Sequence, residues 1–240
     1  MERDRRNQGS AKVLEGRIYV LTIITGDRQW SQNVTDSVFG MIRTAQQWLS
    51  QQASRYGKTV SFENGCFGHP TPIAFDIASG TGSGKESVDV IWQLMKKIGY
   101  ERPIDFTTWA KEKAGCDSSL VLVFADKPGR SYAISYHEDY DKEKYYLEGV
   151  VLFTKYNTGC QLMPAGIAHE ICHLFGAEDL YETFKQTKEN ELLARKLYPN
   201  DIMLRVSYNI NELRIDEMTA WFMGLTDVEK QWYKQFLNQK

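Results

Sequence analysis

The sequence is short of cysteine, of long apolar runs and of net charge. Its four cysteines, Cys66, Cys116, Cys160 and Cys172, show no paired spacing. That argues against a disulfide framework and predicts free thiols in a reducing compartment. No apolar run approaches the ~20 residues a membrane-spanning helix needs. The formal charge of −2 gives no general attraction to nucleic acid or anionic membrane. Arg3, Arg5 and Arg6 precede the apolar stretch 18–24, which has the outline of a secretion signal. That stretch is short and β-branched, and no small-residue cleavage site follows it, so a core strand explains it better. A cytoplasmic protein with no membrane or nucleic-acid partner is the expectation.

Histidine is scarce as well: there are four, and two lie in the stretch Ala168-His169-Glu170-Ile171-Cys172-His173-Leu174-Phe175-Gly176-Ala177-Glu178-Asp179. On a helix, His169 and His173 stand one turn apart on one face, so both imidazoles can reach one Zn²⁺ at about 2.0–2.1 Å. Glu170 lies beside them, placed to activate a water on the metal. Ile167, Ile171 and Leu174 fall on the opposite face and predict burial. A chance His-Glu-His on a solvated helix fits poorly with these apolar flanks, because a buried polar face needs partners. Gly176 can take a left-handed conformation, end the helix and turn the chain back towards the metal. His69 and His137 have no metal-spaced neighbour. The glycine-rich run 80–85 lacks both the first Gly and the final Ser or Thr of a phosphate loop, and reads as a loop.

From His169 to Asp179 this pattern resembles the zinc-binding signature of the metzincin clan of metallopeptidases. Asp179 stands where most members carry a third His, as in the snapalysin type. Asp201-Ile202-Met203 is similar to the clan's Met-turn, with Met203 as the turn methionine. The resemblance implies that His169, His173 and Asp179 hold Zn²⁺ and that Glu170 is the general base. Many members place a Tyr two residues after the turn Met. Here that position is Arg205, so Arg205 or Tyr208 is expected to stabilise the transition state. The resemblance also implies that the next-to-last strand is an antiparallel edge bordering the cleft. Tyr132, Ala133, Ile134, Ser135 and Tyr136 would then pair with an extended protein or peptide substrate.

In chain order, residues 1–15 read as a polar tail and 17–25 as a central strand. Thr35 or Asp36 caps a helix to about Tyr56, with Val38, Met41, Ile42, Ala45, Leu49 and Ala53 inward. A strand follows at 58–62, parallel to the first. Residues 63–84 read as loop with a short strand at 73–77, and helices are expected at 86–98 and 105–114. Residues 119–125 read as a buried strand, continuously apolar from Leu120 to Phe124, as in a strand covered on both faces. A turn at 127–130, a strand at 131–137, a solvated loop at 138–147 and a last strand at 148–155 lead to the metal helix, with Pro164 in its first turn. Residues 182–197 read as an amphipathic helix with Phe184, Leu192, Leu193 and Leu197 on its apolar face. Closing helices are expected at 215–225 and 227–240. The expected fold class is α/β, of α+β zincin-like form. It is a twisted mixed sheet with one antiparallel edge strand, long helices packed on it and a mainly helical C-terminal part. It forms a single domain, 16–240, with subdomains 16–176 and 177–240.

The expected function is zinc-dependent endopeptidase, a hydrolase. About fifteen residues precede the first strand, too few for an inhibitory pro-domain. Narrow specificity or a regulatory protein partner is the expected means of control. Two alternatives stay open. Glu212 and Asp216 have the Glu-x-x-x-Asp spacing by which gluzincin-like peptidases supply a third ligand, which would be Glu212. A non-catalytic zinc-binding module of the same fold is the other, although structural zinc needs no Glu170.

Overall fold

The computed structural model describes residues 9–78, 85–136 and 142–237. Its centre is a five-stranded sheet in the order β2-β1-β3-β5-β4. The strands are β1 Gly16–Thr25, β2 Val60–Phe67, β3 Ser118–Gly129, β4 Tyr132–Ile134 and β5 Gly149–Tyr156. All neighbours are parallel except β4, which runs antiparallel to β5 at one edge, so the expected mixed sheet with one antiparallel edge strand is observed. The apolar run in β3 divides by period two. Leu120, Leu122 and Phe124 join one core, while Val121, Val123 and Ala125 join the other.

The first core is covered by α1 (Gln32–Ser54), α5 (Pro164–Leu174) and the C-terminal segment. The second holds residues of α2 (Lys85–Lys97) and α3 (Pro103–Glu112). Beyond α5 the regular structure is helical, with α6 (Lys188–Leu197), α7 (Glu217–Phe222) and 3-10 turns at Ile210–Glu212 and Gln231–Phe236, apart from an isolated bridge between Asp201 and Arg214.

Several boundaries differ from expectation, each for a local reason. Ser31, not Thr35 or Asp36, caps α1, its hydroxyl accepting from the Val34 N–H at 3.4 Å. β2 runs on to Phe67, and the strand expected at 73–77 is reduced to a bridge between Ile73 and Thr25. β3 continues through the expected turn by shifting register between Ala125 and Pro128, as a bulge allows. The expected loop before β5 contains a short helix, α4 (Lys142–Tyr145). Residues 80–84, His137 and the start of that loop lie outside the described residues.

Two corrections are larger. In the expected tail, Ser10, Ala11 and Leu14 are buried. In α6 most of the expected apolar face is turned outward: Phe184 precedes the helix and is 83 % exposed, and Leu192 and Leu197 are exposed as well, while Leu193 is half-buried against the core. The inward face carries Asn190, Glu191 and Ala194. Asn190 donates to Gln186 Oε1 and the Gln235 carbonyl, and Glu191 accepts from the Glu182 N–H, Arg195 and Lys188. A satisfied polar network overrides the apolar period here.

Candidate metal centre

Helix α5 starts at Pro164, whose fixed φ suits the first helical position, and its buried residues Ile167, Ile171 and Leu174 anchor it in the core. This fixes His169 and His173 side by side, ring centroids 4.9 Å apart and planes at 89°. Phe175 caps the helix and Gly176 follows at φ 96°, the left-handed turn that glycine adopts at least cost. The Gly176 N–H donates to the His173 carbonyl and the Ala177 N–H to the Cys172 carbonyl. The reversal returns Asp179 to the histidines, its Oδ1 lying 3.4 Å from His169 Nε2 and 3.2 Å from His173 Nε2. The Leu180 N–H donates to the Met203 carbonyl and so ties this return to the 201–203 turn.

Both rings are oriented from behind. His169 Nδ1 lies 2.9 Å from the Ile202 carbonyl and His173 Nδ1 2.8 Å from the Ala177 carbonyl. A carbonyl only accepts, so each Nδ1 carries the hydrogen, and in the neutral ring Nε2 keeps its lone pair. Carbonyls in this position fix the tautomer of metal-binding histidines. Asp201 holds the turn together. Its two oxygens accept from the Met203 N–H at 2.7 Å and the Asp216 N–H at 2.8 Å. Burial raises the Asp201 carboxyl to about 7, although these two N–H groups pull the other way. Met203 is fully buried.

The residues present fit a metal ion. The buried Asp179 Oδ1 accepts no hydrogen bond, an arrangement that costs free energy unless something else meets it. His169, His173 and Asp179 offer donor atoms within 4.8 Å of one another, the one such group of His, Cys, Asp or Glu among the described residues. The contacts to Asp179 match the ~3.4 Å edge of a tetrahedron with bonds of about 2.0–2.1 Å. The electrostatics agree. Burial opposes charge on all three groups, yet their attraction outweighs it. The Asp179 carboxyl is held well below the carboxylate range, His169 is raised, and His173 is raised to about 9. The field of this cluster favours positive charge at the Nε2 atoms.

Glu170 is half-buried beside the rings, and burial pushes its carboxyl up against the pull of the two histidines. The other expected site residues make contacts of their own. Arg205 donates to the Pro199 carbonyl and Asn200 Oδ1. Tyr208 is 74 % exposed with its hydroxyl against Cys160. Glu212 sits on a 3-10 turn, accepting from Ser207 Oγ and Asn209 Nδ2, and does not join the histidines. Of the expected substrate strand, Tyr132–Ile134 form β4, with Ser135 and Tyr136 beyond its end.

Three residues around Glu170 were not expected. The Tyr181 ring lies roughly parallel to His169 at 6.3 Å, and burial, with the charges of Asp179 and Glu170, raises its hydroxyl. Tyr156, pushed up to about 12 mainly by burial and next by the charge of Glu170, lies against Gly166 of α5. The charge of Arg130, on the β3–β4 turn, lowers both Glu170 and Tyr181. Only Tyr181 had a signal in the sequence, its place two residues after Asp179.

Among solved structures, the chain is similar to metalloproteinase-II from Bacteroides fragilis. The identity is 10 % and the TM-score 0.49, over 92 % of this chain and 56 % of that one. It is also similar to a zinc-dependent peptidase from Methanocorpusculum labreanum, 14 % identical with a TM-score of 0.30, over 92 % of this chain and 100 % of that one. The chain therefore spans little more than half the length of the first. No protein-family model and no curated protein sequence matches the chain. Likenesses this distant carry no chemical argument, which rests on the site itself.

Proposed function

We propose that the chain is a zinc-dependent endopeptidase of metzincin-like type. The observation that supports it most is the convergence of His169 Nε2, His173 Nε2 and the orphaned Asp179 Oδ1, with Glu170 next to them in the chain. When bound, zinc supplies a Lewis acid that polarises a peptide carbonyl and lowers the pKa of water from about 15.7 towards 7. His169, His173 and Asp179 hold it, and the Ile202 and Ala177 carbonyls keep the rings aimed. Glu170 accepts a proton on its carboxylate and returns it to the leaving amine. Its raised carboxyl suits both directions of that transfer. Met203 supports the floor, in the role of a Met-turn. The open edge of β4, which packs on α5, aligns extended peptide by strand addition. The four free thiols accord with an intracellular enzyme, and no described helix is long and apolar enough to cross a membrane.

The test is Glu170→Gln, which keeps size and hydrogen bonding but removes the base. Zinc content and fold should survive, while peptide hydrolysis falls about 10²–10⁴-fold. Equal rates at equal zinc occupancy would remove Glu170 from the mechanism. Failure of the wild type to cleave any member of a broad peptide library would favour a zinc-binding module without catalysis.

A further inference from the structure

The turn between β3 and β4 carries a cation that the chemistry above does not use, at the head of the strand that packs on α5. Gly129 ends β3 opposite Tyr156 in the β3–β5 register, and Tyr156 lies against α5 at Gly166. Arg130 follows directly. Its backbone is held from both sides: Gly129 is pressed on the Phe153 ring, and the Ser131 hydroxyl accepts from the Phe153 N–H at 3.3 Å. Its side chain is exposed, and among the described residues it has no hydrogen bond or ion pair. β4, which begins two residues further on, packs on α5, the helix that carries Glu170. A fixed backbone carrying an unpaired guanidinium at the head of the edge strand that packs on α5, the helix of Glu170, is suited to reading a carboxylate, because the guanidinium fork matches carboxylate geometry.

We propose that Arg130 determines specificity by binding a substrate carboxylate close to the bond being cleaved. This rests on the peptidase reading of the site. The carboxylate is either an acidic side chain or the free C-terminus of a short peptide, and the two sources are separable. An extended peptide pairing with β4 passes the β3–β4 turn, so one of its side chains or its end meets Arg130 within the same strand of contacts.

The experiment uses fluorophore-labelled peptide pools with Asp/Glu, Asn/Gln or Lys/Arg at one position, each with a free or amidated C-terminus. Binding is read by fluorescence anisotropy on the zinc-loaded Glu170→Gln protein, with and without Arg130→Glu or Arg130→Lys. Hydrolysis by the wild type is read separately. Because Arg130 is exposed, the expected preference is about five- to tenfold for a carboxylate. It should be abolished or inverted by Arg130→Glu and largely kept by Arg130→Lys. Loss of preference on C-terminal amidation alone identifies the terminus as source, and its survival identifies a side chain. Absence of any carboxylate preference, or a preference indifferent to Arg130→Glu, overturns the proposal. Charge-dependent binding without hydrolysis in the wild type supports Arg130 while removing the peptidase reading.

Discussion

Asp179 and Glu148 are two carboxylates withdrawn from water, and their surroundings push them in opposite directions. Asp179 faces two imidazoles and keeps an oxygen that no hydrogen bond meets. Burial raises it, but the positive field of the histidines wins and holds it ionised. Glu148 is fully buried at the start of β5, and both its oxygens are taken. Oε2 accepts from the Ala11 N–H at 2.9 Å and Oε1 from the Tyr136 N–H at 3.2 Å. With burial dominant and two backbone donors resisting it, Glu148 is raised to about 8. Burial alone thus decides neither the charge nor the role of a carboxylate; the partners do. Asp179 has the surroundings that the proposed metal ligand requires, and Glu148 fastens the N-terminal segment and Tyr136, beyond β4, to the sheet. Ser10 completes the fastening, its hydroxyl donating to the Ser119 carbonyl at 2.6 Å and accepting from the Glu148 N–H.

The sharpest way to break this contrast is to exchange the losses. Asp179→Ala should abolish zinc binding at stoichiometric metal. Its effect should exceed the about 10–100-fold that loss of a supporting hydrogen-bond partner costs. Glu148→Gln should leave zinc content unchanged by elemental analysis. Zinc retained in Asp179→Ala but lost in Glu212→Ala would transfer the ligand role to Glu212.

Next in size is the structural effect of Glu148. Glu148→Ala strands the N–H groups of Ala11 and Tyr136, at about 1–3 kcal/mol each. Chemical denaturation should show a loss of that order, and hydrogen exchange should rise first at Ala11 and Tyr136. A stability equal to wild type would mean the fastening contributes nothing.

A smaller effect concerns pH. The unfolded chain releases the Glu148 proton near the ordinary value of 4.5, while the folded chain keeps it to about 8. In that window the folded state binds more protons, so this group's contribution to stability falls as pH rises and levels off above about 8. Glu148→Gln should flatten the wild-type stability profile between those values. Parallel profiles would contradict the assignment.

The smallest effect is expected at Gly176. Its φ of 96° disfavours any β-branched residue. Gly176→Val should weaken zinc binding through backbone strain of about 1–3 kcal/mol without removing a ligand. Unchanged affinity in a zinc titration would place the turn's strain elsewhere.

How much of this was legible in the sequence follows from range. His169, Glu170 and His173 lie within one helical turn, so spacing alone places them together. Asp179 needed the additional inference that Gly176 turns the chain. The central strands were legible because their apolar runs are long, and the edge strand only through resemblance. Tyr156 escaped because strand register, not sequence spacing, sets it against α5 at Gly166, and Arg130 because it follows the paired Gly129 directly. The fastening by Glu148 escaped for the same reason: its partner Ala11 lies 137 positions away. The outward turn of α6 escaped because Asn190 and Glu191 found buried polar partners that no periodicity encodes.

The most direct test of the metal centre is anomalous diffraction from crystals of zinc-loaded protein, collected on both sides of the zinc absorption edge. One peak per chain is predicted, about 2.0–2.2 Å from His169 Nε2, His173 Nε2 and Asp179 Oδ1, with the Glu170 carboxylate nearby but outside bonding distance. A peak ligated by Glu212 in place of Asp179, or no peak at the two histidines, would contradict it.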